Sequence, residues 1–301
     1  MGGLQLFIAH PDDEVFCSGL VCKVAEAGVP VHIVCLTAGE GGRLGSPEIA
    51  TRDTIAEIRR DEMRRSAAVL GVADVSFLGY VDPEPVGVTL RAPDHNPETL
   101  RADIAAEIDR RTPAVVLTHG PTGEYGHPAH ILLHNMLRDT LRDTLREAPR
   151  RRDRDVEFYT FRAFVPSVAA WSSPRRDDWV TFTFDSTPLR ARRVDALWQH
   201  KTQYSVFVGY QDSEHEYRGA ITEYIRKGSL ERYSRWPRPD VPARRRDPLM
   251  EWAGVESTDG KVIANTAARA LFGFLWSVRP ALKAIRQVIP GRVIGQRNPP
   301  T

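Results

Sequence analysis

Leu4-Gln5-Leu6-Phe7-Ile8-Ala9-His10-Pro11-Asp12-Asp13-Glu14 passes from an apolar run to a dense group of ionisable side chains. Such a run, closed by a proline, reads as a strand that leads into a turn. Val15, Leu20, Val21, Val24 and Ala25 then recur at helical spacing, and Gly28 closes that helix. Residues 31–36 form an apolar run broken only by His32, the signature of a strand buried on both faces. Strand, charged turn, helix and buried strand make a parallel crossover unit, and the charged turn sits at the carboxyl end of its first strand.

The same alternation continues outward. A glycine-rich loop, Gly39-Glu40-Gly41-Gly42-Arg43, precedes an expected long helix over residues 48–70, ended by Gly71. Strands are expected over 75–78 and 114–118, with helices over 97–111 and 128–147. After the charged linker 150–154 the pattern becomes strand-rich, over 157–165 and 179–184, and then helical over 189–200 and 214–225. The expected class is therefore α/β: a Rossmann-like, mostly parallel sheet with helices on both faces, plus a strand-containing C-terminal extension. Residues 1–205 read as the catalytic domain, extended by packing segments over 206–236, and 237–301 as a linker and a basic amphipathic tail. In open sheets of this kind ligands bind beyond the carboxyl ends of the strands.

Composition narrows the functional classes. The chain has 301 residues, of which 42% are hydrophobic and 27% charged, so it can bury a sizeable core. Three cysteines, Cys17, Cys22 and Cys35, lie in apolar stretches and read as buried thiols of a reducing compartment. The first residues lack the basic and long apolar regions of a signal peptide, so a cytoplasmic location is expected. Seven basic and no acidic residues follow Asp259, which leaves a net charge of −5 on the rest. An acidic body does not suit nucleic acid.

Two histidine clusters fall at strand ends. One is His10-Pro11-Asp12-Asp13-Glu14; the other is His119 followed by Glu124-Tyr125-Gly126-His127-Pro128-Ala129-His130. His10 and Asp13 are three apart, as are His127 and His130, a spacing that puts both members of a pair on one side of a helical turn. Facing one another, two such pairs would offer two imidazoles and a carboxylate to one metal with a position left open, the pattern of a catalytic zinc site. Taken singly, an Asp-Asp pair is more often a helix cap, and a lone His-x-x-His more often structural. Capping does not account for His10 or for a histidine on each side of Pro128. Asp12 diverges from its neighbour Asp13 and is placed to accept a proton from water rather than to share a metal. Glu14 reads as structural, His32 and His95 as incidental, and His134 as either supporting the site or facing solvent.

These residues resemble the LmbE-like/PIG-L family of metal-dependent de-N-acetylases, whose signature is matched by Ala9-His10-Pro11-Asp12-Asp13-Glu14. The resemblance continues through Thr37-Ala38-Gly39-Glu40, Arg59-x-x-Glu62, Leu78-Gly79-Tyr80-Val81-Asp82 and Tyr125-Gly126-His127-Pro128-x-His130. It extends more weakly to His200-x-Thr202-Gln203. It implies one Zn2+ per chain, or Fe2+ or another divalent metal, held by His10, Asp13 and His130. It further implies Asp12 as general base, and His127 as the imidazole that stabilises or protonates the tetrahedral intermediate. Tyr125 would assist at the carbonyl and gate the site, and Arg59 and Asp82 would hold the sugar. The implied substrate is an N-acetylglucosamine conjugate. Ala129 departs from the pattern, because many members carry an aspartate there; His119 and Glu124 are candidates to replace it in orienting His127.

Other readings compete. A family amidase would cleave a larger acyl group, a choice made by residues 43–52 and 83–96. His10-x-Asp12 with a distant histidine also fits a non-haem iron oxygenase, although that motif normally sits in antiparallel strands. A sugar-binding module without catalysis is a third class. Trp171, Trp179, Trp198, Tyr204, Phe207 and Tyr210 are either core or stacking surfaces for a sugar. The tail over 261–294 reads as a helix pair on the acidic body, as a peripheral contact with the inner face of a membrane through Trp276 and its basic residues, or as a dimer contact.

Overall fold

A computed structural model describes residues 2–87, 89–147, 156–164, 180–236 and 247–255. Its strands are β1 (Leu4–Ile8), β2 (Val31–Thr37), β3 (Asp74–Tyr80), β4 (Val115–His119), β5 (Glu157–Arg162), β6 (Phe182–Asp185) and β7 (Leu230–Arg235). They form one sheet in the order β3-β2-β1-β4-β5-β7-β6. The pairs from β3 to β5 are parallel, and β7 runs antiparallel to both β5 and β6. The chain winds outward from β1 to β3 and then returns to place β4 on the other side of β1. That reversal opens a crevice between the carboxyl ends of β1 and β4. His10 and His119 stand there.

The helices are α1 (Ser18–Glu26), α2 (Ile55–Leu70), α3 (Pro97–Arg111), the short α4 (Gly123–Gly126), α5 (Pro128–Glu147), α6 (Arg190–Leu197), α7 (Tyr204–Val208), α8 (Glu214–Lys227) and α9 (Pro248–Ala253). Alternation along β1 divides them between two faces. Leu4, Leu6 and Ile8 pack with Leu20, Val21 and Val24 of α1 and Met63 and Ala67 of α2. Phe7 joins Val34, Leu36 and Val116 against Leu100 and Ile104 of α3 and Leu133 and Leu137 of α5. Each fully buried aliphatic side chain contributes about 1.5–3 kcal/mol, so both faces hold the crevice rigidly. Cys17, Cys22 and Cys35 are buried free thiols. No helix among the described residues is long and apolar enough to cross a membrane.

Some boundaries differ from expectation. α2 begins at Ile55 instead of residue 48. The Thr54 hydroxyl accepts from the Thr51 N–H, and Arg52 reaches the carbonyls of Glu40 and Gly42. These local bonds compete with a helix over 48–54. β7 was not anticipated, because Leu230-Glu231-Arg232-Tyr233-Ser234-Arg235 has no apolar alternation. Its Glu231 is buried and accepts the N–H groups of Gly19 (2.8 Å) and Leu20 (2.9 Å), while Arg193 lies 3.3 Å away. A strand carboxylate thus satisfies free donors at the start of α1. The basic tail, Trp171 and Trp179 lie outside the described residues.

Candidate metal centre and active site

The chain leaves β1 through a turn closed by its own polar groups. The His10 N–H donates to Asp13 Oδ2 (2.8 Å), and the Asp13 N–H donates to the His10 carbonyl (3.3 Å). His10 Nδ1 lies 3.3 Å from the same Asp13 oxygen. His10 and Asp13 therefore meet as their spacing suggested, but in a turn and not on a helix face.

Asp12 between them has φ 116° and ψ −18°, a conformation unfavourable for a residue with a Cβ. Its N–H donates to Glu14 Oε2 (3.1 Å), and Glu14 Oε1 accepts from Ser66 Oγ and His200 Nε2, both at 2.6 Å. Glu14 and His200 are fully buried. Glu14 is structural, as read, and the weak His200-x-Thr202-Gln203 match has a physical role. Thr202 donates to Glu62, and Gln203 donates to the Arg43 carbonyl, tying this segment to the site loops.

Arg59 clamps the other side of Asp12. Nη1 donates to the Gly39 carbonyl (2.9 Å), Nη2 to the Pro11 carbonyl, and Nη2 lies 3.2 Å from Asp12 Oδ2. Gly39, at φ 71°, wraps this guanidinium so closely that a Cβ would sit 2.1 Å from Nη1. Gly39→Ala is expected to lower stability by about 2 kcal/mol, and to lower kcat by displacing Asp12; urea midpoints and steady-state kinetics measure the two effects.

The second cluster begins at the end of β4. His127 has extended backbone before α5, and its ring stacks on His130 at 4.5 Å. His10 lies 4.8 Å from the His127 ring and 5.3 Å from that of His130. The proposed replacement for the missing aspartate is not found. Glu124 faces His130 Nδ1 (2.6 Å) and His119 Nδ1 (3.0 Å), whereas His127 Nδ1 accepts the Ala129 N–H (3.3 Å). Ala129 is itself buried, and the backbone does the orienting expected of a carboxylate.

Two overlapping donor groups have ligand atoms within 4.8 Å of one another: His10, His127 and His130, and Asp13, His119 and His130. Hydrogen bonding separates them. His119 Nε2 accepts the Ala9 N–H (3.0 Å), so its lone pair is used. Accepting at Nδ1 leaves the proton of neutral His127 on Nε2, where it is a donor. The Nε2 atoms of His10 and His130 are buried and make no hydrogen bond. They lie 3.3 Å from Asp82 Oδ1 and 3.4 Å from Asp13 Oδ1 respectively. Two unbonded imidazole nitrogens among carboxylates are a donor set that a divalent cation fits.

The electrostatics divide the roles. Burial raises the Asp12 carboxyl to about 7, although Arg59 opposes it. Burial, reinforced by the neighbouring His10 and His130, drives His127 far down and keeps it neutral. His134, left open in the sequence, is buried with Nδ1 on the His119 carbonyl (3.0 Å) and its ring against Trp236. Burial lowers it to about 4. Below pH 6.5 the unfolded chain takes up this proton first, so stability falls as pH drops from 6.5 towards 4, by up to roughly 3 kcal/mol. Urea unfolding at pH 7, 5 and 4 should show this slope, flattened in His134→Gln.

A cavity of about 660 Å³ opens over these residues, lined by His10, Asp12, Asp13, Arg59, Asp82 and His127 at its base. Tyr125, 40% exposed, stands at its side. Arg43 and Arg52 on one loop and residues 83–85, Gly87, Leu90 and Arg91 on another form much of the rim. Among the aromatics singled out in the sequence, Phe207 lines the cavity, whereas Trp198 stacks on Tyr204. Phe16 and Tyr224 also line it, without a motif to mark them.

The family model described as PIG-L: GlcNAc-PI de-N-acetylase matches residues 5–141. A 1D-myo-inositol 2-acetamido-2-deoxy-alpha-D-glucopyranoside deacetylase of Mycolicibacterium vanbaalenii is 30% identical over 229 residues, 67% of this chain and 81% of that one. The deacetylase of the same name from Nakamurella multipartita is 32% identical over 234 residues, 67% of this chain and 79% of that one. The fold resembles that of N,N'-diacetylchitobiose deacetylase from Pyrococcus horikoshii, with a TM-score of 0.55 and 21% identity over 78% of this chain and 84% of that one. Fold and cavity define an α/β enzyme with its site at the switch point of a mostly parallel sheet. The chain belongs to the PIG-L (LmbE-like) family of hydrolytic de-N-acetylases.

Proposed function

We propose that this enzyme removes the acetyl group from an N-acetylglucosamine conjugate, with one divalent metal, zinc by preference, held by His10, Asp13 and His130. The observation that carries the reading is that His10, with its unbonded Nε2, lines one cavity with Asp12, Asp13 and His127, while the unbonded Nε2 of His130, buried behind them, lies 3.4 Å from Asp13 Oδ1. When bound, such an ion acidifies a water and polarises the amide carbonyl.

The chain's own groups supply the rest. Asp12, poised near neutrality, takes the proton of the attacking water and passes it to the leaving nitrogen. His127, neutral with its proton on Nε2, donates a hydrogen bond to the oxygen on which negative charge develops. Tyr125 assists from the side of the cavity. Asp82, buried in the wall with its N–H on Glu40 (3.0 Å), accepts sugar hydroxyls. Arg59 is committed to Pro11, Gly39 and Asp12, so its part in sugar binding is to hold the base in place.

Acetate release from N-acetylglucosamine linked to inositol, malate and lipid carriers, measured with and without added zinc, tests the function. About one zinc per chain in the wild type, lost in His130→Ala, is expected. Failure to release acetate from any of these conjugates by the zinc-loaded protein would refute the reading. A membrane contact by the basic tail predicts that the full chain sediments with anionic liposomes and that a chain ended at Asp259 does not.

A further inference from the structure

Glu124 has φ 57° and ψ −71°, a backbone conformation that costs a residue with a Cβ appreciably. Its side chain is buried and fully used. Oε1 accepts the Gly120 N–H (2.9 Å), and Oε2 accepts from His119 Nδ1 (3.0 Å) and His130 Nδ1 (2.6 Å). These contacts fix two tautomers. The Ala9 N–H occupies the His119 Nε2 lone pair, so the single proton of neutral His119 is on Nδ1, directed at Glu124. An ionised carboxylate only accepts, so His130 also carries a proton on Nδ1. Its Nε2, buried and without a hydrogen bond, presents a lone pair towards Asp13. The ring is held on both sides as well, stacked on His119 at 3.9 Å and on His127 at 4.5 Å.

We propose that Glu124 is a positioning residue for the metal centre: its carboxylate, placed by a left-handed backbone between His119 and His130, locks the His130 ring with Nε2 free to coordinate. The inference rests on the metal reading of the proposed function. It assigns a task to a residue that neither touches substrate nor lends an atom to the ion. It also explains why a side chain occupies a conformation where glycine would be easier. Orientation of a coordinating imidazole by a carboxylate on its other nitrogen typically accounts for 10–100-fold in metal affinity.

Glu124→Gln keeps the size of the side chain and removes its charge. Zinc affinity, measured by chelator competition, is expected to fall about 10–100-fold, and the visible absorption of the Co2+-loaded variant to shift. A purely structural role would leave that spectrum unchanged in folded protein. A second measurement needs no variant: long-range 1H–15N correlation of histidine side chains in the zinc-loaded wild type should show His130 protonated at Nδ1 and perturbed at Nε2. Wild-type zinc affinity and cobalt spectrum in Glu124→Gln, or His130 protonated at Nε2, would overturn the proposal. A wild type that binds no zinc would instead refute the metal reading beneath it.

Discussion

Asp12→Asn is expected to keep its metal and lose about three orders of magnitude in kcat. General acid–base catalysis is typically worth 10²–10⁴-fold, and the amide retains the shape of the carboxylate while losing its ability to take a proton. The expectation follows from the geometry of the turn: Asp13 lies against His10 and His130, whereas Asp12 lies against Arg59. Loss of turnover without loss of zinc, by single-turnover kinetics beside metal analysis, would separate base from ligand. Retained turnover on activated and unactivated amides alike would place the base elsewhere.

Glu14→Ala should have the largest effect on the fold. The substitution leaves the His200 ring, fully buried, without its partner, and frees the Ser66 hydroxyl and the Asp12 N–H. Breaking a buried pair by removing one partner costs about 3–5 kcal/mol, which for a chain of this size corresponds to a fall of about 5–8 °C in Tm. Activity should fall as well, because Asp12 loses the acceptor of its N–H and is then held from one side only, by Arg59. Calorimetry and kcat measured well below the lowered Tm distinguish the two effects. A variant with wild-type Tm would mean that His200 finds another acceptor.

Local patterns explain what was legible in the sequence. Helices α3 and α5 have the bounds expected from the sequence, and α3 opens with Asn96 accepting from the N–H groups of Glu98 and Thr99 ahead of Pro97. The core strands were legible because strands buried on both faces read as near-continuous apolar runs. β7 was not, because its buried glutamate serves α1, some 210 residues away in sequence. The site residues were legible as residue types at strand ends. Their roles were implied by the resemblance, and spacing could not tell which ring nitrogen already has a partner. Ala9 disqualifies His119, Ala129 fixes His127, and Glu124 belongs to His130. All three contacts are set by backbone geometry that no spacing encodes.

The bond from Glu231 to Gly19 and Leu20 also imposes an order of events on a growing polypeptide. By the time about 140 residues have left the ribosome, both histidine clusters are present and four parallel strands can pair. The start of α1, one short turn beyond Asp12 and Asp13, still lacks its acceptor. That acceptor arrives only with residue 231, after β5 and β6 have been made. Closure of so long a loop is slow, and it is the step that completes the support beneath the active-site turn. A nascent chain halted before β7 would carry both histidine clusters and yet have no finished platform beneath them.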